Sequence, residues 1–256
     1  MAPMRILFIG DVTGEAGVRA VSLHLPDIRE RYDLVIANAE NATRGKGLGK
    51  SDYRRLREAG VDAITLGNHA FDNREVLELI EKEPILRAAN YPEGVPGRRY
   101  LVLEASGKKL LLFQLMGRVF LEPNLDSPFK TADQVLAEAG VDAALIDFHA
   151  ETTSEKYALF HYLNGRVSAI VGTHTHVPTA DAMVSERGTA YITDVGMTGP
   201  YDSIIGGDAE RFLRRFLTAM PASYRAAHGK ASLLAVEIEL EGKRATNISP
   251  YRWDEP

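Results

Sequence analysis

The chain has 256 residues, 45% of them hydrophobic and 25% charged, with a formal net charge of −5. These values fit an ordinary globular domain and argue against an extended nucleic-acid surface or a broad electrostatic grip on anionic membrane. With no cysteine, disulfides, thiolate metal sites and cysteine nucleophiles are excluded.

The apolar run at the N-terminus is too short for a signal peptide or a membrane span, so the expectation is a cytoplasmic protein with no membrane partner. No Pro/Gly/Ser-rich spacer interrupts the chain, which favours a single domain over 1–256. Arg5-Ile6-Leu7-Phe8-Ile9 reads as a strand buried on both faces and ends in Gly10-Asp11. A helix follows from about Ala16. Leu34 to Ala37 repeats the pattern and ends in Asn38-Ala39-Glu40-Asn41. A Gly-rich loop then carries Arg44, Lys46 and Lys50, with Ser51-Asp52 suited to cap a helix from Tyr53 to about Glu58. Ala63 to Leu66 is a third short run, ending in Gly67-Asn68-His69-Ala70-Phe71-Asp72. Arg74 to Lys82 has helical spacing.

Arg99 to Glu104 and Lys109 to Met116 read as strands paired through a Ser106-Gly107 turn. Residues 117 to 130 look irregular. A helix is expected over Thr131 to Ala139, a strand from Ala143 ending at Asp147-Phe148-His149, and a helix over Ser154 to Asn164. Ala169 to Val171 ends in Gly172-Thr173-His174-Thr175-His176, and Thr189 to Thr193 ends at Asp194-Val195-Gly196. A Gly-rich loop through Gly206-Gly207, a helix near Glu210 to Leu217 and a strand over Ser232 to Leu240 close the chain. Strands and helices alternate, and polar residues collect where strands end, the edge at which open α/β sheets bind ligands.

Asp11, Glu40, Asn41, Asn68, His149, His174 and His176 offer oxygen and imidazole donors, a set that suits Fe, Mn or Zn. Seven are too many for one tetrahedral ion and suit two ions with one bridging carboxylate; two such ions can hold a hydroxide between them and clamp a phosphate. His-x-His just past a buried strand has few structural uses. Asp11, Asn41 and Asn68 would individually pass as turn residues, and His69 as a capping histidine. His24, His161 and His228 have no partner motif and read as packing or surface.

The order Gly-Asp at 10–11, Glu-Asn at 40–41, Gly-Asn-His at 67–69, His149 and Gly-Thr-His-Thr-His at 172–176 resembles the calcineurin-like metallophosphoesterases. Thr13 stands where that family's first motif has His, and Glu40-Asn41 where its bridging Asp stands. Together with DVGMTGP and THTHVPTAD, these departures are similar to the YmdB branch of bacterial phosphodiesterases. The resemblance implies a four-layer α/β/β/α sandwich and two metal ions, typically Fe or Mn. By the same resemblance one ion takes Asp11, Glu40, Asn41 and His176, and the other takes Glu40, Asn68, His149 and His174. It also implies that His69 is the proton donor to the leaving oxygen, and that the substrate is a small phosphodiester, 2′,3′-cyclic nucleotides first. Two alternatives stand beside this: a phosphomonoesterase, and a slow-turnover nucleotide-binding regulator. The loop from Gly196 to Gly207 is expected to shape the pocket, with Thr198, Tyr201, Asp202 and Ser203 as candidates. For Phe120-Leu121 and Leu125, an interface in a homo-oligomer and simple packing are both open.

Overall fold

The computed structural model describes residues 3–256. Two sheets pack face to face. The first holds β1 (Met4–Ile9), β2 (Leu34–Asn38), β3 (Ala63–Thr65) and β4 (Ile85–Leu86) in parallel order. β12 (Ala231–Glu241) joins antiparallel beside β1, and β13 (Arg244–Asp254) and the two-residue β11 (Gly199–Pro200) pair with β12. The second sheet runs β5 (Tyr100–Ala105), β6 (Lys108–Met116), β7 (Ala144–His149), β8 (Ala169–Thr173), β10 (Ala190–Ile192) and β9 (Met183–Val184). Its four middle strands are parallel and its edge strands antiparallel.

The side-chain period of two sorts each strand between neighbouring layers. From β1, Met4, Ile6 and Phe8 enter the seam between the sheets, where they meet Leu110, Leu112, Leu145, Val171 and Ile192. The alternate residues, Leu7 and Ile9, face outwards onto α1 (Gly14–Ile28) and α2 (Lys50–Ala59) through Val18, Val21, Leu25 and Leu56. On the far side Phe113, Ile146 and Phe148 meet Val135 of α4 (Pro128–Ala139) and Leu159, Phe160 and Leu163 of α5 (Thr153–Leu163). Helix, sheet, sheet, helix is the four-layer α/β/β/α sandwich expected from the sequence.

Several boundaries differ from expectation. α2 begins at Lys50 with Gly49 at its cap, so Ser51 and Asp52 lie in the first turn, and Asp52 instead accepts from Thr43 Oγ1 at 2.7 Å. Helical spacing over Arg74 to Lys82 yields only the single turn α3 (Val76–Leu79). α4 starts three residues early because Pro128 occupies its first turn, where a missing N–H costs nothing. The helix near 210 is α6 (Ala209–Thr218), none of whose residues is buried. Leu121 and Leu125 pack against Ala88 and Met116, while Phe120 is exposed. Among the described residues no helix is long and apolar enough to cross a membrane.

Candidate metal centre

Every parallel strand that bears a candidate residue delivers it at its carboxyl end, so all of them reach one edge of the sandwich. The two sheets contribute different chemistry. Asp11, Glu40, Asn41 and Asn68 follow β1, β2 and β3 of the first sheet; His149, His174 and His176 end or follow β7 and β8 of the second. Oxygen donors come from one side of the seam and imidazoles from the other.

The structure brings Glu40, His149 and His174 tightest, with donor atoms all within 4.8 Å of one another. Three lone-pair donors crowd a single nitrogen: Glu40 Oε1 at 3.0 Å, Asn68 Oδ1 at 3.0 Å and His174 Nδ1 at 3.1 Å from His149 Nε2. One N–H there can satisfy only one of them. Asp11 is fully buried, with Oδ1 3.9 Å from His149 Nδ1 and Oδ2 accepting from the His174 N–H at 3.2 Å. Asp11 Oδ1 and Asn41 Oδ1 are buried without a hydrogen-bond partner among the described residues. Such orphans are rare in native structures, and a bound cation would satisfy both. The donor set therefore fits a metal. Asn41 and His176 stand outside the tight group. Asn41 is anchored by its amide nitrogen to Gly45 O at 3.1 Å, and His176 by Nδ1 to Ile205 O at 2.9 Å, which leaves Nε2 free.

Without a cation the buried charges lean on one another. Burial works against a charged His149, but the Glu40 carboxylate, and behind it Asp11 and Asp147, hold its imidazole up at about 9. Burial likewise opposes a charged Glu40, yet His149 and His69 hold that carboxyl down at about 2. Burial raises Asp11 to about 6 against the pull of His176 and His149. His174 falls to about 3, through burial first and the neighbouring His149 charge second.

Partners that sequence patterns did not single out fix the geometry. Thr173 Oγ1 donates to Asp147 Oδ1 at 2.6 Å and so accepts from His149 Nδ1 at 2.9 Å, turning His149 Nε2 towards the other donors. Asp147 Oδ2 also accepts from Asn38 and Thr65 of the first sheet and from Gln114 of the second, at 3.0, 2.6 and 2.8 Å. Glu151 holds His174 Nε2 at 3.0 Å. Lys156, on α5 and 1% exposed, donates to Thr173 O at 2.8 Å and to Asp194 Oδ2 at 2.9 Å. Asp194 in turn accepts from Thr175 and Gly196. This anchors a turn in which His174 and His176 take left-handed φ of 98° and 67°. Gly67 lets the site close: a Cβ there would lie 2.2 Å from His149 Nε2 and 2.3 Å from Glu40 Oε2.

His69 is partly open to solvent. Its backbone N–H donates to Glu40 Oε2 at 2.9 Å, and its Nδ1 is 2.8 Å from Asp72 Oδ2. Nε2 therefore faces the donor cluster's side, 3.4 Å from Asn68 Nδ2. The loop from Gly196 to Gly207 lies beside His176, where Met197, Tyr201, Ser203 and Ile205 line a cleft of about 260 Å3. Thr198 is used internally, bonded to Leu234 O and N. His24 is packed, stacked on Trp253, and His161 and His228 are exposed. A larger cleft of about 760 Å3 lies at the opposite strand ends, between Met4, Lys109 and Lys243, and shares no residue with the cluster.

A four-layer sandwich with carboxylates, amides and imidazoles converging on one edge defines a protein of metallophosphoesterase type. The chain belongs to the YmdB-like family, whose model matches residues 7–251. It is 49% identical over 252 residues to the 2′,3′-cyclic-nucleotide 2′-phosphodiesterase of Bacillus subtilis, covering 96% of this chain and 95% of that one. Among solved structures, a protein of Thermus thermophilus superposes with a TM-score of 0.97 at 60% identity, over 99% of this chain and 100% of the other. A phosphatase of Mycoplasma pneumoniae gives 0.94 at 37% identity, over 99% and 95%.

Proposed function

We propose that this chain, working as one domain, is a metal-dependent phosphodiesterase that hydrolyses 2′,3′-cyclic nucleotides. The observation that carries the metal reading is the pair of orphaned buried oxygens, Asp11 Oδ1 and Asn41 Oδ1, beside the Glu40, His149 and His174 donors. The Bacillus relative's activity supplies the substrate class. Asp11, Glu40, Asn41 and His176 would hold one divalent ion, and Glu40, Asn68, His149 and His174 a second, with Fe and Mn matching the donor types. Bound there, two ions supply an activated water and neutralise developing phosphate charge.

The chain's own groups do the rest. Asp72 holds His69 Nδ1, so Nε2 is the atom that carries a proton towards the leaving ribose oxygen. Glu40 fixes the His69 backbone at 2.9 Å, tying the acid to the ligand set. Thr173 and Glu151 hold the imidazole rings so that the phosphate meets preorganised donors. With no cysteine to oxidise, the site suits the cytoplasm but does not require it.

The test combines metal analysis with turnover of 2′,3′-cyclic AMP, bis-p-nitrophenyl phosphate and p-nitrophenyl phosphate by Mn²⁺-supplemented protein. Two ions per chain with diester turnover support the proposal. Monoester turnover alone would make the chain a phosphomonoesterase, and neither metal nor turnover would overturn the proposal and favour the ligand-binding role. In His69→Ala, turnover should fall about 10²–10⁴-fold with metal content retained; loss of metal in step with activity would remove His69 from the acid role.

A further inference from the structure

Beside His69 lies an open cleft of about 570 Å3, whose lining includes Arg44, Lys46, Asp72, Arg74, Glu75 and Tyr224. Its charges are unequally committed. Asp72 is taken by His69 Nδ1, and Glu75 Oε2 accepts from the Lys50 N–H at 2.8 Å. Lys50 itself pairs with Glu78 at 2.5 Å and is withdrawn from the cleft. Among the described residues, Arg44, Lys46 and Arg74 find no ion-pair partner; Lys46 rests only over the Tyr224 ring, 5.8 Å from its centroid.

The cleft is built rather than incidental. Its Arg44 and Lys46 wall hangs from two candidate ligands: Asn41 Nδ2 donates to Gly45 O, and Gly47 N donates to Glu40 O at 2.5 Å. Gly45 and Gly47 take left-handed φ of 86° and 75°, and a Cβ on either would strike the opposing wall, Tyr224 at 2.4 Å and Asn73 N at 2.6 Å. The loop is thus closed against residues 73 and 224 with its cations facing solvent.

From this arrangement we infer that the cleft is an anion subsite for a second phosphate of the substrate. The ligand class is a ribonucleotide that carries a 5′-phosphoryl group as well as the 2′,3′-cyclic phosphate. The inference rests on the phosphodiesterase reading above, because the first phosphate must sit at the cluster that Asp72 and His69 adjoin. Both groups belong to one ribose, so a nucleotide with its cyclic phosphate at the ligands and its leaving oxygen at His69 can turn its 5′ side into the neighbouring cleft. Arginine forks and a lysine suit phosphate oxygens. The same chemistry arises in a 5′-phosphorylated mononucleotide and at the 3′ end of a cleaved RNA.

The experiment measures kcat/KM of Mn²⁺-loaded protein for 2′,3′-cyclic AMP, its 5′-phosphorylated form, and a diribonucleotide ending in a 2′,3′-cyclic phosphate. The 5′-phosphorylated compounds should be favoured about tenfold or more, the scale of one charged hydrogen bond. The ratio should fall towards one in Arg44→Ala and Lys46→Ala but not in Lys50→Ala. Preference for the dinucleotide over the phosphorylated mononucleotide would assign the source to RNA ends, and the opposite preference to free nucleotides. A ratio near one in the unaltered protein, or a ratio indifferent to Arg44→Ala and Lys46→Ala, overturns the inference. Calorimetry with adenosine 3′,5′-bisphosphate and 3′-AMP separates the two readings. Tighter Arg44-dependent binding of the bisphosphate without any diester turnover keeps the subsite and sinks the phosphodiesterase. Equal turnover and equal binding do the reverse.

Discussion

Lys156→Met tests whether the buried Lys156–Asp194 pair holds the His174–His176 turn. Met keeps most of the length of the stem and removes the charge. Two bonds are lost, the 2.8 Å bond to Thr173 O and the 2.9 Å bond to Asp194 Oδ2. Asp194 keeps Thr175 N at 3.1 Å, Thr175 Oγ1 at 2.7 Å and Gly196 N at 2.9 Å, so its anion is not left bare. Removing one partner of a buried pair costs about 3–5 kcal/mol, and those three donors place this case at the lower end, about 3 kcal/mol. For a chain of this size that is a fall of about 6–12 °C in Tm. Urea and thermal unfolding of the metal-free protein measure it. Lys156→Met with Asp194→Asn should recover at least about 1 kcal/mol of the sum of the single changes, since no buried charge is then unmatched. Metal affinity should fall too, because the two histidines would lose the tie that maintains their left-handed backbone. A loss below about 1 kcal/mol with an unchanged urea slope, or additive single changes, would refute the reasoning.

Three further outcomes follow from the geometry. Gly67→Ala, whose Cβ would meet His149 Nε2 at 2.2 Å, should abolish tight metal loading while the far-edge strands stay folded, as read by metal analysis and far-UV circular dichroism. Metal loading at pH 7 should release about one proton per chain, because His149 is charged below about 9 in the metal-free protein and must be neutral to ligate. Calorimetry in buffers of different ionisation enthalpy counts it. The raised His149 pKa also means that, in chelated protein, its contribution to stability is complete below pH 6.5 and fades as pH rises through about 9. Metal-loaded protein should lack that decline, and equal slopes for the two forms would contradict it.

The strand-end residues were readable because each follows a short apolar run, and a polar residue at the end of a doubly buried strand has only one edge to occupy. Their partners were not. Asp147 reads as one more polar residue where an apolar run ends, and its role depends on Asn38, Thr65 and Gln114 arriving from three other strands. Lys156 looks like any solvated lysine on a helix, and nothing local announces that α5 turns it inwards. Asp72 and Glu151 stand close in sequence to His69 and His149, but only the backbone path shows that Asp72 serves its neighbour His69 while Glu151 serves His174. Of the closing hairpin, only β12 is legible in the sequence. β13 is largely exposed, carries Pro250 and pairs across a register shift at Glu239/Leu240, so its alternation is too weak to read.

The division of donors between the two sheets would make a metal bound at this edge a latch across the sandwich. Neither sheet alone offers a mixed oxygen and imidazole set, so affinity measures how well the halves meet at this edge. A chelator should therefore act locally, raising amide hydrogen exchange at the carboxyl ends of β2 and β8 while leaving the Met4 and Leu110 end of the seam as protected as before. Ion binding, in turn, would resist only those openings that part the two sheets at the site, and it would do so by its full binding energy.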